Sequence, residues 1–345
     1  MKKILPWVFL ISTLIILIIL AIFIKNRPWS GYQETTIKPA EKISNIPVFY
    51  PNLFNNYLYY LDQENISISR VDLANGKISE IEDLSGINIK EDLITDTQIT
   101  WNNQNKNLYL IRTETENSNV KWFLGNLESK QLKQIQCNFT GYLEWKDQDN
   151  LTYIDDDNYL KVLNINSLKL TSKKKIDTQN VLEIFPSLDG KKTIIAETIE
   201  GEVTGSPVMI YDFDQNIIEN INQTYIRNPV WSPESEKILF DKYLQNGYGK
   251  TEGLLIWSTN NQKQFNFGES LKSVWLNNNA IISAIPQKEE SLNDNIYKIN
   301  IETGEKTLLF KSSNKEHYSV ENLMLSLDGK TLYFTSDGYL YKISI

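Results

Sequence analysis

Tryptophan recurs on a lattice in this chain, and few folds accept one. Trp101, Trp145, Trp231 and Trp275 are separated by 44, 86 and 44 residues, and 86 is twice 43. The fullest copy of the unit around them is VWSPESEKILF, residues 230–240: an apolar run ending in Trp, a Ser-Pro turn, a few polar residues and a second apolar run. That is a strand, a turn and a strand. Self-similarity at about 40–45 residues is the mark of propeller blades, so the repeat is read before any local motif.

The second strands of the units read YLYYLDQ (57–63), NLYLIRT (107–113), LTYIDDD (151–157), TIIAETI (193–199), KILFDKY (237–243), AIISAIP (280–286) and TLYFTSD (331–337). Seven third strands follow them, from ISISRVDL to YLYKISI. Six of those are followed by a turn and a fourth strand, clearest in VDLANGKISEI and INIETGEKTLLF, where Asn-Gly and Thr-Gly supply the positive φ of a tight turn. After the seventh the sequence stops at Ile345. An incomplete blade leaves an open edge, so a strand near residues 33–38 (QETTIK) is expected to complete the last blade and close the ring. No segment sustains a 3.6-residue period over three turns. The expectation is an all-β, seven-bladed β-propeller of four-stranded blades over residues 46–345, joined by a tether, residues 28–45, to an amino-terminal membrane anchor.

Residues 4–24 are that anchor: 21 uncharged apolar residues that as a helix reach about 31 Å, enough to cross a bilayer. The run ends in Phe23, Ile24, Lys25, Asn26 and Arg27 rather than in the small residues of a cleavage site, so it reads as uncleaved. Lys2 and Lys3 on one side balance Lys25 and Arg27 on the other, which leaves the positive-inside rule undecided. The ordinary behaviour of a signal anchor puts the amino end inside, so the expected location is the cell membrane, single-pass, with the propeller outside the cytoplasm. An inverted anchor with a cytoplasmic propeller is the alternative.

A net charge of −8 argues against a surface for phosphate backbones, so nucleic acid is not expected as a partner. Cys137 is the only cysteine, which excludes an intramolecular disulfide and deprives a structural zinc of its usual ligands. His317 is the only histidine and falls in a connection between units six and seven. No G-x-S-x-G elbow, H-E-x-x-H or phosphate loop occurs, and no cofactor is expected. Asp155, Asp156 and Asp157 offer carboxylates to a hard cation but lack calcium-loop spacing, and they sit where a turn favours Asp. No metal is expected. Lys173, Lys174 and Lys175 lie in an outer strand, where lysine guards an edge.

WSPESEKILF at 231–240, PSLDGKKTII at 186–195 and LSLDGKTLYFTSDGYLYKI at 325–343 resemble the WSPDGK-type repeats of the TolB-like, WD40-like propellers. The pattern spans about 300 residues, although only these three copies are close; Trp101 and Trp145 keep the aromatic and lose Ser-Pro-Asp-Gly. The family's namesake carries an α/β domain before its propeller, and here an apolar run leads there instead. The resemblance implies the fold and an extracytoplasmic scaffold role.

The loops joining second to third strands share one face, around the mouth of the channel. They are short except in units four, five and six, at residues 199–206, 242–253 and 286–295. Those three stand side by side, and they carry the candidate binding residues Glu200, Glu202, Tyr243, Tyr248, Lys250, Glu289, Glu290 and Asp294. Tyr beside Gly, Ser and Asn suits adaptable recognition, and tolerated insertion is the plain alternative. The reading is a non-catalytic binding scaffold for a protein, peptide or envelope polymer, held in the membrane through residues 4–24. The alternative is a hydrolase or lyase using paired carboxylates at the channel mouth.

Overall fold

The computed structural model describes residues 39–345 apart from 85–96, 115–119, 136–142, 178–180, 199–207, 222–225, 244–250, 259–260, 266–271, 288–292 and 314–316. After β1 (Glu41–Lys42) come seven four-stranded antiparallel sheets. Blade 1 holds β2 (Phe49–Phe54), β3 (Tyr57–Asp62), β4 (Ser67–Asp72) and β5 (Ile78–Asp83), and blade 2 holds β6 (Gln98–Trp101), β7 (Leu108–Glu114), β8 (Val120–Asn126) and β9 (Gln131–Ile135). Blade 3 is β10 (Leu143–Trp145), β11 (Asn150–Ile154), β12 (Tyr159–Asn164) and β13 (Leu170–Lys175); blade 4 is β14 (Val181–Pro186), β15 (Lys192–Thr198), β16 (Val208–Asp212) and β17 (Ile217–Ile221). Blade 5 is β18 (Ile226–Trp231), β19 (Lys237–Tyr243), β20 (Thr251–Ser258) and β21 (Asn261–Phe265). Blade 6 is β22 (Lys272–Asn277), β23 (Ala280–Pro286), β24 (Asp294–Asn300) and β25 (Lys306–Phe310), and blade 7 is β26 (Val320–Leu325), β27 (Thr331–Ser336) and β28 (Tyr339–Ser344), completed by β1.

Each second strand is an unbroken apolar run because both of its faces are buried. In β3, Tyr59 and Leu61 pack with Tyr109, Ile111 and Phe123 of blade 2. Leu58 and Tyr60 point the other way, to Tyr333 and Leu340 of blade 7. The period is two, and the core is a circle of blade-to-blade seams. First strands meet first strands: β2 packs on β6 and β26, and β10 on β6 and β14. They therefore wall the channel.

The Trp lattice stitches these seams. The indole N–H donates to the preceding blade's backbone, Trp101 to the Tyr50 carbonyl at 2.7 Å, Trp145 to Thr100 at 3.1 Å, Trp231 to Phe185 at 2.8 Å and Trp275 to Val230 at 3.0 Å. For Trp145, Trp231 and Trp275 the acceptor sits one place before the preceding unit's own Trp position, which Pro186 fills in blade 4. This repetition is why the spacing holds near 44.

Turns repeat with the same economy. Between third and fourth strands, Asp72, Asn126, Asn164, Asp212 and Asn300 each accept backbone N–H groups two or three residues on. Four residues after each of them comes a positive φ, at Gly76, Lys130, Leu168, Asn216 and Gly304. Between first and second strands, Ser187, Ser232 and Ser326 use their hydroxyls to accept the N–H five residues on, from Lys192, Lys237 and Thr331. That is the physical content of the Ser-x-Asp-Gly-Lys pattern, with Gly190 and Gly329 at positive φ.

Ring closure from the amino end is present, and it lies later in the chain than residues 33–38, which are outside the described residues. Glu41 and Lys42 pair with Lys342 and Tyr341 of β28. Glu41 meets the Lys342 ammonium at 3.1 Å, and the Lys42 ammonium stands 3.6 Å over the Tyr339 ring. Beyond the strand, Ile43 donates to the Leu340 carbonyl at 2.8 Å, and the Leu340 N–H donates to the Ser44 hydroxyl at 2.9 Å. Two strand residues carry little β signal of their own, which is why the sequence placed the strand a few residues early. The apolar run 4–24 is also outside the described residues, and among those described no helix is long and apolar enough to cross a membrane.

Candidate functional site at the channel mouth

First strands begin, and second strands end, at the face that carries the second-to-third-strand loops. Charged side chains collect there: Glu144 on β10, Glu183 on β14, Arg227 on β18, Lys272 on β22, and Asp241 and Tyr243 at the end of β19. They come from four consecutive blades, 3 to 6. The opposite end is narrowed by turn-to-turn bonds: Gln104 of blade 2 donates to the Leu188 carbonyl of blade 4 at 2.8 Å, and Lys237 of blade 5 to the Asn278 carbonyl of blade 6 at 2.9 Å.

A bulge shapes this sector. In β18 the pairing with β19 slips between Arg227 and Val230, and Asn228 within the bulge has φ 52°. Bulges re-aim side chains and gather at sites. Here the bulge lets the Asn228 amide donate to the buried Asp241 carboxylate at 2.7 Å, while Arg227 lies directly across the ladder from Asp241. Burial pushes the Asp241 carboxyl up to about 6, against the Asn228 bond and the Lys272 charge, which pull it down. Burial also raises the Tyr243 phenol, and Asp241 adds to that.

Across the seam between blades 3 and 4, two carboxyls face the same problem. Burial raises Glu183, partly offset by Arg227. Burial, and then the Glu183 charge, push Glu144 up to about 8. Glu144 is half-buried and, among the described residues, has no hydrogen-bond or ion-pair partner. Burial and the Glu183 charge both favour its protonated carboxyl, the form that can donate a proton or a hydrogen bond. Glu183, whose rise the Arg227 charge partly offsets, is its carboxyl neighbour. Burial raises both, and Arg227 acts on Glu183; neighbouring carboxyls unequally placed toward a cation can divide the roles of acid and base.

Of the eight residues singled out from sequence, six lie outside the described residues: Glu200, Glu202, Tyr248, Lys250, Glu289 and Glu290. Tyr243 and Asp294 are described, and both are strand residues rather than loop tips. Tyr243 belongs to the charged sector. Asp294 is fully buried in the seam between blades 6 and 7, where one carboxylate oxygen accepts the Val320 N–H at 2.7 Å and the other has no partner. Burial pushes it up to about 6, against that bond. It pins two blades together. His317 is a surface residue whose Nδ1 lies 2.8 Å from the Asn293 side-chain oxygen, and Asp155 is tied to Lys161 at 3.0 Å. Among the described residues no three His, Cys, Asp or Glu side chains gather as they would around a metal ion.

The fold places the chain in the class of seven-bladed β-propellers. No family model and no curated protein sequence matches it. Solved structures do: an oligogalacturonate lyase in complex with manganese has a TM-score of 0.57 at 14% identity, with 87% of this chain and 84% of that one covered. The β-propeller domain of Cps50 (Swd1) from Myceliophteria thermophila has a TM-score of 0.58 at 9% identity, with 89% and 100% covered. The oligogalacturonate lyase of Vibrio parahaemolyticus has 0.52 at 15%, with 87% and 84% covered. At these identities the likeness is one of fold.

Proposed function

We propose that the chain is a membrane-anchored, extracytoplasmic binding scaffold of the TolB-like propeller group, and that its channel mouth holds a protein, peptide or envelope polymer. The observation that carries this reading is the mixed-charge sector of Glu144, Glu183, Arg227, Asp241 and Lys272, collected from four blades at the mouth end of the channel. Charge of both signs on a rigid wall gives orientation and specificity more than raw affinity. Co-purification from native membranes tests it, comparing the intact protein with an Arg227→Gln/Lys272→Gln variant of matched melting temperature. Loss of a specific partner is expected, and an unchanged partner set would contradict the mouth as the binding face.

Anchoring through residues 4–24 with the propeller outside is the second part of the proposal. Leu327 is 89% exposed. A Leu327→Cys variant, with Cys137 replaced by Ser, should react with a membrane-impermeant maleimide on intact cells. Labelling only after lysis would contradict the orientation.

The Glu144 and Glu183 pair favours one other reading, a hydrolase or lyase in which Glu144 is the acid and Glu183 the base. The solved oligogalacturonate lyases make acidic polysaccharide a sensible first substrate class. Turnover that disappears in Glu144→Gln would support it; equal turnover in that variant would remove it.

A further inference from the structure

On the face opposite the mouth, the seam between blades 4 and 5 opens into a cavity of about 630 Å³. That is within the size of ligand pockets, roughly 300–1,000 Å³. Trp231 and Trp257 line it, together with Lys192 and Glu219 of blade 4 and Glu236 of blade 5. Both indoles are otherwise buried in the seam, so they present edges rather than a free aromatic surface.

The neighbouring seam shows what is missing here. Between blades 5 and 6, the Lys263 ammonium on β21 binds the Glu302 carboxylate at 2.7 Å and the Glu302 carbonyl at 2.9 Å. Glu302 lies in the connection between β24 and β25, which is five residues long. Glu219 is the third residue of β17, as Lys263 is the third of β21. In the sequence only Thr and Asn, residues 259–260, join β20 to β21, and neither carries a charge. Glu219 and Glu236 have no ion-pair partner among the described residues. The Lys237 ammonium, also on the cavity, is committed to the Asn278 carbonyl of blade 6. The seam thus keeps a carboxylate where its neighbour has a closed ion pair.

We propose that this seam is a second binding site, independent of the mouth, for an extended basic polypeptide segment. A Lys or Arg head would supply the cation that Glu219 and Glu236 lack, and its methylene stem would lie along the Trp231 and Trp257 edges. Lys192 at the rim would donate to the segment's carbonyls.

Calorimetric titration of triarginine peptide into the full-length protein in detergent, at low salt, tests this. Saturable one-to-one binding is expected, weakened at least tenfold by Glu219→Gln/Glu236→Gln. A control, Glu128→Gln/Glu305→Gln, removes two exposed turn carboxylates from the same face and should leave the affinity within twofold. All four side chains are exposed, so folding is not at stake. Absence of binding, an unaltered affinity in the first variant, or an equal loss in the control would each overturn the proposal, the last by reducing it to attraction by the net charge of −8.

Discussion

Leu168 stands at φ 56° in the turn between β12 and β13, where the equivalent places in blades 1 and 6 hold Gly76 and Gly304. An L-residue in that region costs about 1–2 kcal/mol, and glycine adopts it freely. The Leu168 side chain is exposed and gives up no packing. Leu168→Gly should therefore stabilise the protein by about 0.5 kcal/mol after glycine's greater freedom in the unfolded chain is subtracted, read as a higher denaturant midpoint. A lower midpoint would contradict the account of the turn. The turn itself was legible, since Asn and Ser cluster there; the strain was not, because Asn-Ile-Asn-Ser-Leu-Lys names no residue as left-handed. Gly125 is a similar case. A Cβ there would fall 2.1 Å from the Tyr109 ring, which reaches over it to donate to the Glu82 carboxylate. The sequence offers only a glycine within a strand. At the mouth, Glu144, Glu183, Arg227 and Lys272 were passed over because one charge in a short apolar run reads as a solvent position. A signal existed: each lies one to four places before its unit's Trp position.

Seams between blades are the units that packing acts on, and the closing seam is the one held by the fewest strand residues. Ser44 is fully buried, and its hydroxyl both accepts the Leu340 N–H at 2.9 Å and donates to the Ile46 carbonyl at 3.0 Å. Ser44→Ala leaves that N–H buried without a partner, at a cost of about 1–3 kcal/mol. A clear drop in melting temperature is expected, and an unchanged melt would mean the closure does not hold the ring. The seven units and the incomplete last blade were readable because two-sided burial makes each second strand a continuous apolar run. The two-residue closing strand was not, because Glu41 and Lys42 take their place from what they pair with. Loop length pointed to the face on which the charged sector of Glu144, Glu183, Arg227, Asp241 and Lys272 lies. It could not show that Asp294 is a buried pin, since burial is a property of two blades at once.

The whole molecule carries a set of buried and half-buried acids, and they set its response to pH. Glu82, Glu144, Glu183, Asp241 and Asp294 are all raised, each first by burial. A carboxyl raised on folding contributes stability that is present below its unfolded value, near 4, and is lost as pH rises through the folded value. That window runs to about 6 for Asp241 and Asp294 and to about 8 for Glu144. Asp147 and Asp155 are lowered, so their contribution is present above the unfolded value and fades on acidification. The melting temperature should therefore fall from pH 5 to pH 8, with a shallower fall in Asp294→Asn; a rise over that range would contradict the burial of these groups. The most direct measurement of the account's central claim is photocrosslinking in native membranes from the two faces of the ring. Benzoylphenylalanine in place of Tyr243, at the mouth, should yield a specific adduct that is absent when the same group replaces Leu327. Adducts from neither position, or from Leu327 alone, would contradict a binding scaffold that works through its channel mouth.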